Sequence, residues 1–156
     1  MNKILPWVQV LILLTSFAWT QQEPAISRGS AAKDPCDNAM SQMEMNQCSG
    51  EQYRKADARF SVVYHKALTF LAADVDEARH RNDNDETKHG ATSIQKLKAA
   101  ERAWIQYRDL HCDAAGHEYE GGSMRPMMWA NCMKLATEHR IADLKEAYED
   151  GDRKLE

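Results

Sequence analysis

Four cysteines constrain the fold of this chain most, because they are the residues that can cross-link it. They are Cys36, Cys48, Cys112 and Cys132, separated by 12, 64 and 20 residues, and none has the C-x2-C spacing of a zinc site. The simplest of the three possible connectivities pairs neighbours, Cys36–Cys48 and Cys112–Cys132. Each pairing closes a short loop and stabilises the fold by roughly 3 kcal/mol. A zinc or free-thiol role is the alternative.

The first twenty residues have the pattern of a secretory signal segment. Lys3 supplies a positive start, and residues 4–17 form an interrupted apolar run, shorter than the roughly 20 residues of a membrane span. We predict cleavage after Ala18 or Thr20, with an uncleaved anchor as the alternative. The protein is then expected in the periplasm or secreted, where disulfides are favoured. No cysteine lies near the cleavage point, so no membrane anchor is expected after cleavage.

Length and charge exclude several classes of protein. The 156 residues suffice for one domain. Lys and Arg total 20 against 24 for Asp and Glu, giving a formal net charge of -4, which argues against nucleic-acid binding. A mean hydropathy of -0.67 excludes a multi-span membrane protein.

The rest of the chain predicts an all-α fold, a small bundle of about four helices stapled by the two disulfides. Residues 21–35 form a flexible leader, residues 36–150 the helical domain and residues 151–156 a polar tail. A short helix between the first two cysteines ends at Ser49-Gly50, and Ser49 caps the next helix, with Gln52 completing a capping box. That second helix runs to about residue 80. Residues 82–93 form a loop, and two further helices cover about 93–118 and 126–150.

Side chains at spacings of three and four mark the face that each long helix buries. The predicted stripe of the second helix is Tyr53, Ala56, Phe60, Val63, Ala67, Phe70 and Asp74. The third helix presents Ile94, Leu97, Ala100, Trp104, Tyr107 or Arg108, and His111. The fourth presents Trp129, Met133, Ala136, Arg140, Leu144 and Ala147, and Pro126 suits its first turn.

Polar residues are unusually dense on faces that these stripes would bury. We predict a network between helices in which Asp57 and Glu44 accept hydrogen bonds from arginines, since a buried guanidinium must be paired. Such a network either fixes the register of the bundle or binds a partner. Its predicted members are Glu44, Asn46, Asp57, Tyr64, Arg102, Trp104, Arg108, Thr137 and Arg140.

No complete catalytic constellation is present, so we predict that the protein is not an enzyme and has no cofactor or metal site. The chain lacks G-x-S-x-G, H-E-x-x-H and a glycine-rich phosphate loop. Asp113, Glu118 and Glu120 could supply two carboxylates for a catalytic pair, but nothing in the sequence fixes the distance between them. Methionines cluster at residues 40–45 and 124–133, where they fill a core or, if exposed, form a soft protein-binding surface or a copper site.

These segments resemble the N-terminal domain family of the lysozyme inhibitor LprI, a group of secreted or lipid-anchored bacterial helical domains. The matching pattern spans residues 36–144. It comprises Cys36 with Ser41-Gln42-x-Glu44-Met45-Asn46-x-Cys48, Ala56-Asp57 leading to Tyr64, Arg102-Ala103-Trp104-x-x-Tyr107-Arg108-Asp109-x-x-Cys112, Gly121-Gly122-Ser123, Cys132 and Thr137-x-x-Arg140-x-x-x-Leu144. The chain departs from the family at Phe60-Ser61, where Leu-Asn is usual, and at Glu101, where Gln is common.

The resemblance implies a protein partner, a lysozyme, inhibited by steric occlusion of its substrate cleft. An acidic protein would be steered toward a strongly cationic lysozyme. The alternatives are an immunity-like or envelope-associated protein that binds another cell-wall enzyme, and one that contacts cell-wall material or metal directly. Our hypothesis is that an exposed loop contacts the lysozyme. The alternative is that this loop only connects two helices. Its residues are Glu118, Tyr119, Glu120, Gly121, Gly122, Ser123 and Arg125.

Overall fold

The computed structural model describes residues 36–156, which form three α-helices. Helix α1 spans Gln42–His80, α2 spans Asn84–Ala115 and α3 spans Arg125–Tyr148, with a single 3-10 turn at Gly116–Tyr119 between the last two. No β-strand occurs in this part of the chain, where an isolated bridge joins Asp150 and Arg153. The all-α prediction is confirmed, with three helices instead of about four. The predicted signal segment and the predicted leader both lie outside the described residues.

The two predicted N-terminal helices are one continuous helix, so the predicted break at Ser49-Gly50 is wrong. Ser41 caps α1 instead, and its side chain and Glu44 form the capping box. Ser49 is buried inside the helix. Serine and glycine each cost a helix interior at most about 1 kcal/mol relative to alanine, and the packing of α1 against the other two helices outweighs that cost.

The acidic segment predicted as a loop is mostly helical. Asp83 caps α2 by accepting a hydrogen bond from the backbone N–H of Glu86 (2.9 Å), and acids in the first turn favour a helix N-terminus. Gly90 of α2 packs closely against α1, since a Cβ at that position would stand 2.5 Å from Cγ2 of Val75. A short turn at residues 81–83, with Asn82 at a φ of 57°, therefore suffices to reverse the chain.

A small apolar core joins the three helices and the C-terminus. Its fully or nearly fully buried members are Phe60, Val63 and Ala67 from α1, Leu97 from α2, Ile141 and Leu144 from α3, and Leu155. The last six residues, expected as a polar tail, place Leu155 in this core. Arg153 pairs with Asp74, and Glu156 accepts hydrogen bonds from Arg59 (2.6 Å) and Lys145 (3.0 Å). These contacts hold the C-terminus against α1 and α3.

Both predicted disulfides are present. Cys36 bonds to Cys48 and Cys112 to Cys132, with Cα–Cα distances of 5.8 and 5.5 Å. The first attaches the residues before α1 to its second turn, and the second joins the end of α2 to the start of α3. The Cys36–Cys48 bridge also lies near the connection between α2 and α3, because Asn46 on α1 donates a hydrogen bond to the carbonyl of Ser123 in that connection. Within residues 36–156, no helix combines the length and apolar composition that a membrane span requires.

Candidate functional site

The side chain of Arg108 connects all three helices. It projects from α2, and its residue is only 6% exposed. Its Nη1 donates hydrogen bonds to Oδ1 of Asp57 on α1 (3.1 Å) and to Oγ1 of Thr137 on α3 (3.3 Å), and Nη2 lies 2.9 Å from Oδ1 of Asp109. We call Arg108, Asp57, Asp109 and Thr137 the Arg108 network. It supplies the paired acceptors that a buried guanidinium requires.

Two aromatic rings enclose the same guanidinium. The Cζ of Arg108 lies 5.0 Å from the ring centroid of Trp104 and 5.7 Å from that of Tyr53, distances at which a cation is attracted to a ring face. Burial acts to lower the pKa of Arg108, but its bonds to Asp109 and Asp57 and the nearby Tyr53 outweigh burial and raise that pKa. Burial raises the pKa of Tyr53, although the Arg108 cation opposes that increase.

A second ion pair, largely buried, lies beside Trp104. Glu101 of α2 is 3% exposed, and its Oε2 accepts hydrogen bonds from Nη2 (3.0 Å) and Nε (3.2 Å) of Arg140 on α3. The Cζ of Arg140 lies 5.9 Å from the Trp104 centroid, and that indole packs on Phe60. Two guanidinium groups thus lie within 6 Å of the Trp104 ring centroid, and each has its own carboxylate partner.

The sequence prediction of the polar network missed Asp109 and, on the same helix α2, Glu101. The prediction placed Ala100 on the buried face of this helix, but Ala100 is exposed and Glu101 is buried. Counting four residues from Leu97 to Glu101, then three to Trp104 and four to Arg108, would have identified the correct stripe. Charged side chains are rarely buried unless they are paired, and the partner of Glu101 lies on another helix.

Burial raises the pKa of the Glu101 carboxyl, although Arg140 and Arg108 oppose that increase. Its Oε1 has no hydrogen-bond partner among the described residues. Because the folded-state pKa lies above the unfolded one, the native state binds more protons than the unfolded state once the pH exceeds the unfolded pKa. The stabilisation associated with Glu101 is therefore complete at low pH and is lost as the pH rises through the folded pKa.

We expect Glu101→Gln to remove this pH dependence. Relative to that variant, the original protein should lose stability as the pH rises from about 4.5, measured by urea unfolding at a series of pH values. Glu44→Gln is the control with the opposite sign, because hydrogen bonds from the backbone N–H groups of Met40 and Ser41 lower the pKa of Glu44. The assignment would be contradicted if the stability difference between the original protein and the Glu101→Gln variant did not change with pH. It would also be contradicted if the original protein gained stability relative to the variant as the pH rose.

The structure brings together most of the predicted polar residues, but not all of them. Asp57, Trp104, Arg108, Thr137 and Arg140 meet as described. Tyr64 stacks on Phe60 beside them at 6.1 Å. Arg102 is exposed and acts on Tyr64 only through its charge.

Glu44 and Asn46 lie elsewhere. Glu44 does not accept from an arginine as predicted, because its carboxylate is used in the cap of α1. Asn46 lies near the connection between α2 and α3, where its Nδ2 donates to the carbonyl of Ser123 (3.0 Å).

The predicted binding loop is exposed and is held by local hydrogen bonds. The backbone N–H of Gly122 donates to the carbonyl of Tyr119 (2.9 Å), and Nε of Arg125 donates to Oε2 of Glu120 (2.7 Å). Gly121 has a φ of 75°, a left-handed conformation that favours glycine. Glu118 and Ser123 are exposed, and Tyr119 is half-buried. Arg125, predicted at or outside the helix boundary, is the first residue of α3.

The negative charge of the described residues is concentrated around this loop. We call residues 36–54 and 111–131 the disulfide end. It carries six acids (Asp37, Glu44, Glu51, Asp113, Glu118 and Glu120) against Arg54 and Arg125, a net charge of -4. The other described residues carry sixteen acids and fifteen Lys or Arg, a net charge of -1. The disulfide end is therefore the part of the domain most attractive to a cationic partner.

The methionine clusters divide between the surface of the disulfide end and the core next to it. Met40 is 88% exposed, Met43 is 76% exposed and Met124 is also exposed, whereas Met133 is buried. Exposed methionines provide flexible, polarisable contacts that adapt to a partner surface. Among the described residues, no group of three or more His, Cys, Asp or Glu side chains is placed to hold a metal ion.

These features define a class, a disulfide-bonded three-helix domain whose helices are joined by buried arginine pairs. The chain matches the lysozyme inhibitor LprI family over residues 33–144, and it belongs to that family. It is also 37% identical to an uncharacterised protein of Rhizobium meliloti (strain 1021) over 153 residues, covering 97% of this chain and 99% of the relative. No solved structure matches it. The disulfides and the family together indicate an extracytoplasmic location.

Proposed function

We propose that this protein inhibits a lysozyme-type muramidase by binding it and blocking its substrate cleft. It catalyses no reaction itself. A signal segment at residues 1–20 directs its export to the periplasm or out of the cell and is cleaved. Membership of the lysozyme inhibitor LprI family is the observation that carries this proposal. The concentration of negative charge at the disulfide end supports it independently, because lysozymes of the strongly cationic kind would be steered to that end.

The loop from Glu118 to Arg125 is the contact surface we propose. It projects from the disulfide end, its acids are exposed, and the Cys112–Cys132 bridge closes its base. A loop already held by its own hydrogen bonds loses little conformational entropy on binding. Exposed methionines beside it add apolar area without requiring one fixed shape.

A lytic assay of a chicken-type lysozyme, with and without the purified protein, tests the proposal directly. We expect Ser123→Trp, or bulky residues at both Gly122 and Ser123, to weaken inhibition by about tenfold, the size of a typical central interface contact. Gln95→Trp, an exposed site on α2 away from the loop, is the matched control and should leave inhibition unchanged. Equal potency of the folded Ser123→Trp variant would exclude the loop, and no inhibition by the unaltered protein would exclude the function.

A further inference from the structure

A cleft of about 470 Å³ opens at the disulfide end, beside the predicted binding loop. This volume lies within the range of about 300–1,000 Å³ typical of ligand sites. All three helices contribute to it. Its lining residues are Asn46 and Gly50 from α1, Asp113 from α2, and Arg125, Pro126, Trp129 and Ala130 from α3.

The carboxylate of Asp113 is oriented in this cleft and has capacity for another donor. Its Oδ1 accepts a hydrogen bond from Nε1 of Trp129 (2.9 Å), and it forms no ion pair with any described residue. An ionised carboxylate accepts about four hydrogen bonds, so most of its acceptor capacity faces the cleft and solvent. Arg125, the cation of the same cleft, is paired with Glu120 instead.

The indole that donates to Asp113 is linked to the Arg108 network through Tyr53. Trp129 meets Tyr53 edge to face, with ring centroids 5.6 Å apart and planes at 84°. Tyr53 in turn lies beneath the guanidinium of Arg108. A chain of packed groups thus runs from the buried arginine to the cleft, and it presents a carboxylate beside an aromatic ring.

We propose that this cleft binds a lysine or arginine side chain of the protein partner. The cation pairs with the carboxylate of Asp113, while the stem of the side chain packs on Trp129 and Pro126. Charge complementarity selects this occupant, because the surrounding surface has a net charge of -4 and the unpaired group in the cleft is an acid. The inference rests on the proposed function, for which it identifies an anchor point on the inhibitor.

A penta-arginine peptide with blocked termini tests the cleft without a lysozyme. We expect its addition to shift the indole N–H resonance of Trp129 in an NMR titration, leaving that of Trp104 in place. Asp113→Asn keeps the acceptor for Trp129 and should weaken peptide binding about tenfold, as expected for the loss of a charge-assisted pair. Asp152→Asn removes the same charge from the other end of the domain, where the side chain is exposed, and should change binding less than about twofold.

The outcomes separate this inference from the proposed function. Equal weakening by the two variants, or no shift at Trp129, would overturn the cleft in favour of general attraction by charge. Unchanged lysozyme inhibition by Asp113→Asn would overturn the anchor and leave the function standing. Arginine-peptide binding that depends on Asp113, in a protein that inhibits no lysozyme, would support the cleft and reject the proposed function.

Discussion

Arg108→Ala is expected to lower the free energy of unfolding by about 4 kcal/mol, a large share of the 5–15 kcal/mol typical of a domain. The variant loses charge-assisted hydrogen bonds to α1 and α3, and it leaves a cavity between Tyr53 and Trp104. Asp57 and Asp109 are about half exposed, so water solvates them once the cation is gone. Their solvation keeps the loss of stability from exceeding about 4 kcal/mol. Urea unfolding followed by circular dichroism measures the change.

One further variant separates the contributions of charge and shape at this position, and a second, elsewhere, is the control. Arg108→Lys keeps the charge but loses the planar group that lies between two rings, so we expect about half of the loss. Arg59→Ala is the control, because Arg59 forms an exposed ion pair with Glu156, worth at most about 1 kcal/mol. If Arg108→Ala folds with unchanged stability, the network does not fix the register of the helices, and partner binding becomes its remaining role.

Removal of the Cys112–Cys132 disulfide, as the double variant Cys112→Ala/Cys132→Ala, is expected to cost about 3 kcal/mol. The bridge closes a loop of 20 residues, and the chain-entropy relation gives about 3 kcal/mol for a loop of that length. Cys112 is fully buried, so the alanine variant also loses some packing. Thermal and urea unfolding measure the loss.

The equivalent variant of the other disulfide is the matched comparison. Cys36→Ala/Cys48→Ala opens a loop of 12 residues at the edge of the domain and should cost slightly less. The oxidised protein should have a mass four hydrogens below that of the reduced protein. Identical unfolding curves for the oxidised and reduced proteins would show that the bridges form but do not stabilise the fold.

The same variants bear on function. The Cys112–Cys132 bridge closes the base of the loop from Glu118 to Arg125. The Cys36–Cys48 bridge does not enclose this loop, because it joins the residues before α1 to the second turn of that helix. If the loop is the contact surface, opening the first bridge should weaken lysozyme inhibition more than opening the second. The reason is that a loop with a mobile base must be ordered when it binds.

The candidate site could be predicted in part, and the missing parts share a cause. Residue type and spacing identified Arg108, Asp57, Thr137 and Arg140, because buried arginines need acceptors at positions that face other helices. Glu44 was assigned to the wrong partner, because a carboxylate three residues after a serine satisfies a local cap equally well. Glu101 was missed, because its burial depends on an arginine 39 positions away.

The cleft beside the loop illustrates the same limit. Asp113 and Trp129 are 16 residues apart. The sequence pattern grouped Asp113 with the acids Glu118 and Glu120 and placed Trp129 on a buried helix face, so it did not connect the two. Their hydrogen bond forms only because α2 and α3 run back along each other across the disulfide. The concentration of charge at one end also becomes visible only when the ends of separate helices are brought together.

The sequence by itself determined the helical class, the pairing of the cysteines and the family, because helix periodicity, short loop closure and ordered motifs are local properties of a chain. Only the tertiary structure decided that Ser49-Gly50 lies inside one long helix, that Glu101 is buried and that Leu155 closes the core. Each of these outcomes depends on contacts between distant residues. Their packing and pairing energies exceed local propensities of about 1 kcal/mol, so they override what neighbouring residues indicate.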